Sequence, residues 1–129
     1  MYLIDTDILI ALIRGKVAIQ ERMIQVGLAN CVLSEISLAE LYVGVYKGTR
    51  RESLVTFLEE KFKALPITPA LKVYAQIRAR LELRGERLED TNTFIAATAL
   101  VNDYTLVTHN TRHFSRIPGL KLEDWLDEQ

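Results

Sequence analysis

Short apolar runs of strand length recur along the chain with helix-length stretches between them, and this spacing constrains the fold more than any other feature. Residues 1–4, 31–33, 65–67 and 104–107 are the strand candidates, with 121–122 as a fifth. Antiparallel neighbours can be joined by a tight hairpin, whereas parallel strands need a crossover of a dozen or more residues, usually a helix. Every gap here is of the second kind. The sequence therefore predicts an α/β fold of three layers, α/β/α, with a central, mostly parallel sheet of four to five strands. No repeat, low-complexity tract or Pro/Gly-rich linker divides the 129 residues, a length that suits a single domain over 1–129.

The stretches between strands carry helix signals. Residues 7–13 and 18–27 are helical, the first stopping near Gly15. Ser37 and Glu40 have the Ser-x-x-Glu spacing of a capping box in a helix that runs to Tyr46, where Gly48 is placed to end it. Residues 52–63 form another helix, with Leu54, Phe57, Leu58 and Phe62 on one stripe. Thr68 and Pro69 give a start signal for a helix to Arg84, closed by Gly85. Asp90 or Thr91 caps a last helix to about residue 102, rich enough in Ala and Leu to be buried.

Composition narrows the function classes. The longest apolar runs, 8–13 and 94–101, fall well short of the ~20 residues of a membrane span. No basic segment precedes an apolar stretch at the N-terminus, so no signal peptide is expected. The single cysteine, Cys31, rules out an internal disulfide framework; its apolar setting reads as a buried, inert thiol. The expected compartment is cytoplasmic. The net charge of −1 conceals an uneven distribution: −2 over residues 1–46, +5 over 47–87 and −4 over 88–129. A basic middle between acidic ends suits either a solvated helix face or a phosphate-contacting surface beside an acidic pocket.

In an open parallel sheet, ligands bind beyond the carboxyl ends of the strands. Asp5 stands at the end of the first strand, and Thr108 and Asn110 just past the fourth. Glu40 and Asn92 lie on helices able to project to the same edge. Oxygen donors of this kind suit a hard divalent cation such as Mg²⁺. Taken singly, each residue has a plainer reading as a cap or turn residue, and spacing alone defines only an α/β domain with an acidic edge. His109 and His113 are four apart, but no third histidine and no cysteine accompanies them, so no zinc site is expected. Neither a Ser/His/Asp arrangement nor a Gly-rich phosphate loop is recognisable.

Four ordered segments carry a resemblance. Tyr2-Leu3-Ile4-Asp5-Thr6-Asp7, Ser37-Leu38-Ala39-Glu40-Leu41-Tyr42-Val43-Gly44, Thr91-Asn92-Thr93-Phe94-Ile95-Ala96-Ala97 and Leu106-Val107-Thr108-His109-Asn110 follow one another at fitting intervals. The chain resembles the PIN-domain family over nearly its whole length, and within it the VapC-type ribonuclease toxins of type II toxin–antitoxin systems. The resemblance implies Mg²⁺- or Mn²⁺-dependent RNA cleavage, a homodimer, and a cognate antitoxin protein. It also implies catalytic roles for Asp5, Glu40, Asn92 and Asn110, with Asp5, Glu40 and Asn92 as metal ligands. Thr6, Asp7, Asp90 and Thr108 would be supporting residues. Lys47, Arg50 and Arg51, which follow the Glu40 helix, are the first candidates for RNA contact.

One position departs from the family pattern. Asn92 stands where the family places aspartate, and a neutral amide offers one carbonyl oxygen in place of a carboxylate. Three readings are open: a substitution that disarms a toxic chain, a variant in which Asp90 supplies the charge, and a member that binds RNA or protein without cleaving. Asp90 is about 200° round a helix from Asn92, so it substitutes only if the helix begins after it. A phosphoester hydrolase acting on small molecules is the rival from another class.

Overall fold

The computed structural model describes residues 1–126. In chain order the elements are β1 (Tyr2–Ile4), α1 (Thr6–Ile13), α2 (Val17–Val26), β2 (Cys31–Ser34), α3 (Glu35–Tyr46), α4 (Glu52–Lys61), β3 (Lys63–Leu65), α5 (Leu71–Leu83), α6 (Asp90–Asn102), β4 (Thr105–Val107), α7 (Thr111–Phe114) and β5 (Leu122–Glu123). The five strands form one sheet in the order β3-β2-β1-β4-β5, with every pairing parallel.

Alternation along each strand explains the three layers. Ile4, Leu33 and Val107 face one apolar cluster with Ile8, Leu9, Met23, Leu41 and Leu58 of α1–α4. Leu3, Val32 and Leu106 face the other, with Ile95, Ala96 and Ala99 of α6 and Phe114 of α7. A strand buried on both sides shows no polar/apolar alternation in sequence, which is why these runs read as continuous apolar segments. Trp125 closes the first cluster at the sheet's end, its ring 5.5 Å from that of Tyr2.

Several local expectations are corrected. The third strand is Lys63–Leu65, two residues earlier than predicted, because Pro66 has no N–H to donate to a ladder. The stripe of α4 turns on Val55, Leu58 and Phe62; Phe57 is exposed. The cap of α3 is Ser34, whose hydroxyl accepts the Ile36 N–H at 3.1 Å, so Ser37 and Glu40 lie inside the helix and form no capping box. Two helix starts also shift: Thr68–Ala70 is a 3-10 turn ahead of α5, and Glu89, not Asp90 or Thr91, stands at the N-cap of α6. The helix ends are as read: Gly48 and Gly85, at φ +78° and +68°, follow α3 and α5 in a conformation other residues resist.

Candidate active site

The sheet order reverses direction between β1 and β4, since β2 and β3 lie on one side of β1 and β4 and β5 on the other. A crevice at such a switch point is where doubly wound sheets bind ligands. Asp5 and Thr108 are the residues immediately beyond those two strands. Because Ile4 pairs with Val107, they emerge side by side.

Asp5 is only 4% exposed. Its Oδ1 accepts the Thr6 N–H at 2.8 Å, capping α1, and its Oδ2 accepts the Thr108 hydroxyl at 2.8 Å. Thr108 Oγ1 in turn accepts the Asn110 N–H at 3.0 Å, so one buried hydroxyl joins β1 to the loop after β4. Asp7 ties the same loop from α1: its Oδ2 accepts the His109 N–H at 3.0 Å and its Oδ1 the Ile8 N–H at 2.8 Å. From α3, Glu40 Oε1 accepts the Thr6 hydroxyl at 2.7 Å. The same hydroxyl lies 3.0 Å from the fully buried Ser37 Oγ. A carboxylate can only accept, so the order of donation is Ser37 to Thr6 to Glu40.

Burial, and after it the neighbouring Asp7 carboxylate, pushes the Asp5 carboxyl up to about 7; Glu40 adds to the rise, while the Thr108 and Thr6 bonds oppose it. Asp7 is raised too, chiefly by burial, against the His109 and Ile8 N–H groups. Hard oxygen donors crowded in this way fit a divalent cation, which would offset their mutual repulsion. Among the described residues no group of three His, Cys, Asp or Glu side chains is placed to hold a metal ion. A cation there would have to draw on amide and hydroxyl oxygens and on water as well as on the carboxylates.

Hydrogen bonds join Asp5, Thr6, Asp7, Glu40, Thr108 and Asn110. The Asn110 side-chain oxygen is paired with His113 Nδ1. Asn92 stands third in α6, half-buried, and its amide makes no hydrogen bond among the described residues. Asp90 is the first residue of α6, so it cannot swing into Asn92's place. Its carboxylate instead accepts from Tyr74 at 2.8 Å and Arg78 at 3.3 Å, which overturns the reading in which it replaces the missing charge. Lys47 ends α3 and is exposed, Arg50 is half-buried against Gly44, and Arg51 precedes α4. Cys31 is buried, its thiol pushed up to about 11 by that burial. His109 precedes α7 and pairs with Asp124 at 2.9 Å, so the two histidines share no helix face.

Two features around these carboxylates escaped the sequence reading. Ser37 was hidden by its capping-box spacing to Glu40, although i and i+3 also share a helix face. The His109–Asp124 pair had no local signal, because β4–β5 pairing alone brings it together.

A three-layer α/β/α fold with carboxylates gathered at the switch point of its parallel sheet is the class the structure defines. The PIN domain family model matches residues 2–120, and the chain belongs to that family. Ribonuclease VapC2 of Haemophilus influenzae is 32% identical, covering 97% of this chain and 98% of the relative. The tRNA(fMet)-specific endonuclease VapC of Shigella flexneri is 30% identical over 96% and 97%. Among solved structures, DNA-bound VapBC from Salmonella typhimurium superposes with a TM-score of 0.86 at 32% identity, covering 96% of this chain and 97% of that one. VapBC2 from Rickettsia felis bound to promoter DNA gives 0.85 at 29% identity, over 96% and 98%.

Proposed function

We propose that this chain is a divalent-metal-dependent endoribonuclease, the toxin half of a toxin–antitoxin pair, acting on RNA phosphodiester bonds. The observation that carries the reading is the buried Asp5 carboxylate at the β1/β4 switch point, flanked by Asp7 and Glu40. The naming of its relatives as ribonucleases and endonucleases supports it.

On this reading Asp5 and Glu40 would hold Mg²⁺ or Mn²⁺, with the amide oxygen of Asn92 as a further donor and Asn110, its side-chain oxygen paired with His113, as a catalytic residue beside them. Bound there, the ion supplies an acidified water and a positive charge beside the phosphorus. The chain's own residues do the rest. Thr108 fixes the rotamer of Asp5, Thr6 fixes Glu40 through Oε1, and Asp7 pins the His109 backbone so that Asn110 stays at the edge. Glu40 Oε2 makes no protein hydrogen bond among the described residues and is the oxygen left for ion or water. In hydrolysis a water oxygen forms the new bond to phosphorus, the ester P–O bond breaks, and the leaving alkoxide takes a proton.

The partner is a cognate antitoxin, a reading supported by relatives solved as VapBC complexes. The active form is a homodimer, and the setting is cytoplasmic. No helix among the described residues is long and apolar enough to cross a membrane.

Asn92 favours a second reading, a PIN module that binds RNA or protein without cleaving. One experiment separates the two. RNA is incubated with the native chain and with Asn92→Asp, in Mg²⁺ and in EDTA, beside a generic phosphomonoester. The nuclease reading expects cleavage in Mg²⁺ only, rising at least ~10-fold in Asn92→Asp, with the phosphomonoester untouched. Inertness of both chains would leave the binding module.

A further inference from the structure

Away from the carboxylates, the surface beside α1 changes sign. Two adjoining hollows share Ile10 and Arg14. One, of about 380 Å³, includes Asp7, Arg14 and Lys16. The other, of about 400 Å³, includes Arg14, Arg50 and Arg51 over an apolar wall of Ile10, Ile13 and Leu54. Arg14 stands at the seam of a continuous surface that begins at Asp7 and ends among guanidiniums.

Among the described residues Arg14, Arg50 and Arg51 make no ion pair, so no salt bridge offsets the positive charge of this hollow. Three like charges facing one hollow repel one another unless an anion lies between them. Gly44 shows that the seat of Arg50 is built into α3. A β-carbon there would lie 1.8 Å from Arg50 Nη1 and 2.8 Å from its Cζ, so the guanidinium would have to leave its present seat. Glycine inside a helix is destabilising relative to alanine, and the space it leaves here is filled by a cation. Gly44 lies one turn beyond Glu40, which sets Arg50 about 6 Å farther along the same helix face.

We propose that Arg14, Arg50 and Arg51 form a phosphate subsite for RNA, gripping the backbone beside the phosphodiester held at Asp5 and Glu40; this deepens the nuclease reading and rests on it. A guanidinium fork matches the oxygens of a phosphodiester and keeps its charge at any working pH. The hollow that holds Asp7 adjoins the arginine hollow at Ile10 and Arg14, so a strand with one phosphate among the arginines would run on towards Asp7. The subsite differs from the surface expected from sequence: Arg14 belongs to it, and Lys47 does not line it.

The test is the binding of a labelled single-stranded oligoribonucleotide in EDTA, where no divalent ion is available for cleavage, between about 50 and 200 mM salt. Each of Arg14→Ala, Arg50→Ala and Arg51→Ala is expected to weaken binding and to take about 0.7 off the slope of log affinity against log salt; the triple variant takes off about 2. Gly44→Ala should match Arg50→Ala and add nothing in its background. Arg80→Ala, on α5, should leave affinity and slope unchanged. A triple variant that keeps the native affinity and slope overturns the subsite, as does one that keeps RNA but loses binding of a polyglutamate peptide. Binding that depends on these arginines in a chain that cleaves nothing in Mg²⁺ would refute the nuclease reading and leave the subsite standing.

Discussion

Asp5 carries two jobs that pull against each other. As the cap of α1 it needs an acceptor oxygen, and asparagine would serve nearly as well. As a buried acid beside Asp7 it is costly to ionise without a cation. Its folded value of about 7 lies above the ordinary 3.8, so between those values the folded chain holds a proton that the unfolded chain has lost. Stability of the metal-free protein from this group is thus full below about pH 4 and declines as pH rises to about 7. Urea unfolding in EDTA should show Asp5→Asn more stable than the native chain at pH 8, by on the order of 1–4 kcal/mol, with the difference gone near pH 4. Equal stabilities at pH 8 would contradict the burial argument. Thr6 acts at the same scale. Thr6→Val keeps the shape but removes the donor to Glu40, and Mn²⁺ affinity should fall on the order of 10-fold, while Thr6→Ser should restore it.

At the scale of elements, α3 is the lever, because it alone brings Glu40 to β1. Its hold on the sheet edge begins with Ser34, fully buried and accepting the Ile36 N–H. Ser34→Ala should cost about 1 kcal/mol in denaturant unfolding, with the slope of free energy against denaturant unchanged. Much of this layout was legible in the residues. Apolar runs located the strands, and the carboxyl-edge rule drew attention to Asp5, Thr108 and Asn110 before any contact was known. What was not legible has physical causes. Pro66 moved β3 because a missing N–H outweighs an apolar pattern. Ser34 took the cap from Ser37 because the strand ended one residue into the polar run. Arg14 gave no sign, since only the packing of α1 beside the α3–α4 turn sets it near Arg50.

Across the whole molecule, charge and architecture divide in the same way. The sheet is buried on both faces, so chemistry is confined to its carboxyl edge and to the helix surfaces around it. Acid from β1, α1 and α3 gathers at that edge, and base from the middle of the chain lies next to it. Neither half explains the other alone: crowded carboxylates repel RNA, and free arginines bind it without cutting. On the proposed reading a divalent ion held by Asp5 and Glu40 would reconcile them, and that ion is the account's central claim. The direct measurement is a Mn²⁺ titration of the metal-free chain followed by electron paramagnetic resonance, beside Asp5→Asn and Glu40→Gln. The account predicts a Mn²⁺ site in the native chain that either substitution removes or weakens at least ~10-fold. Mn²⁺ bound with undiminished affinity by both variants would contradict it.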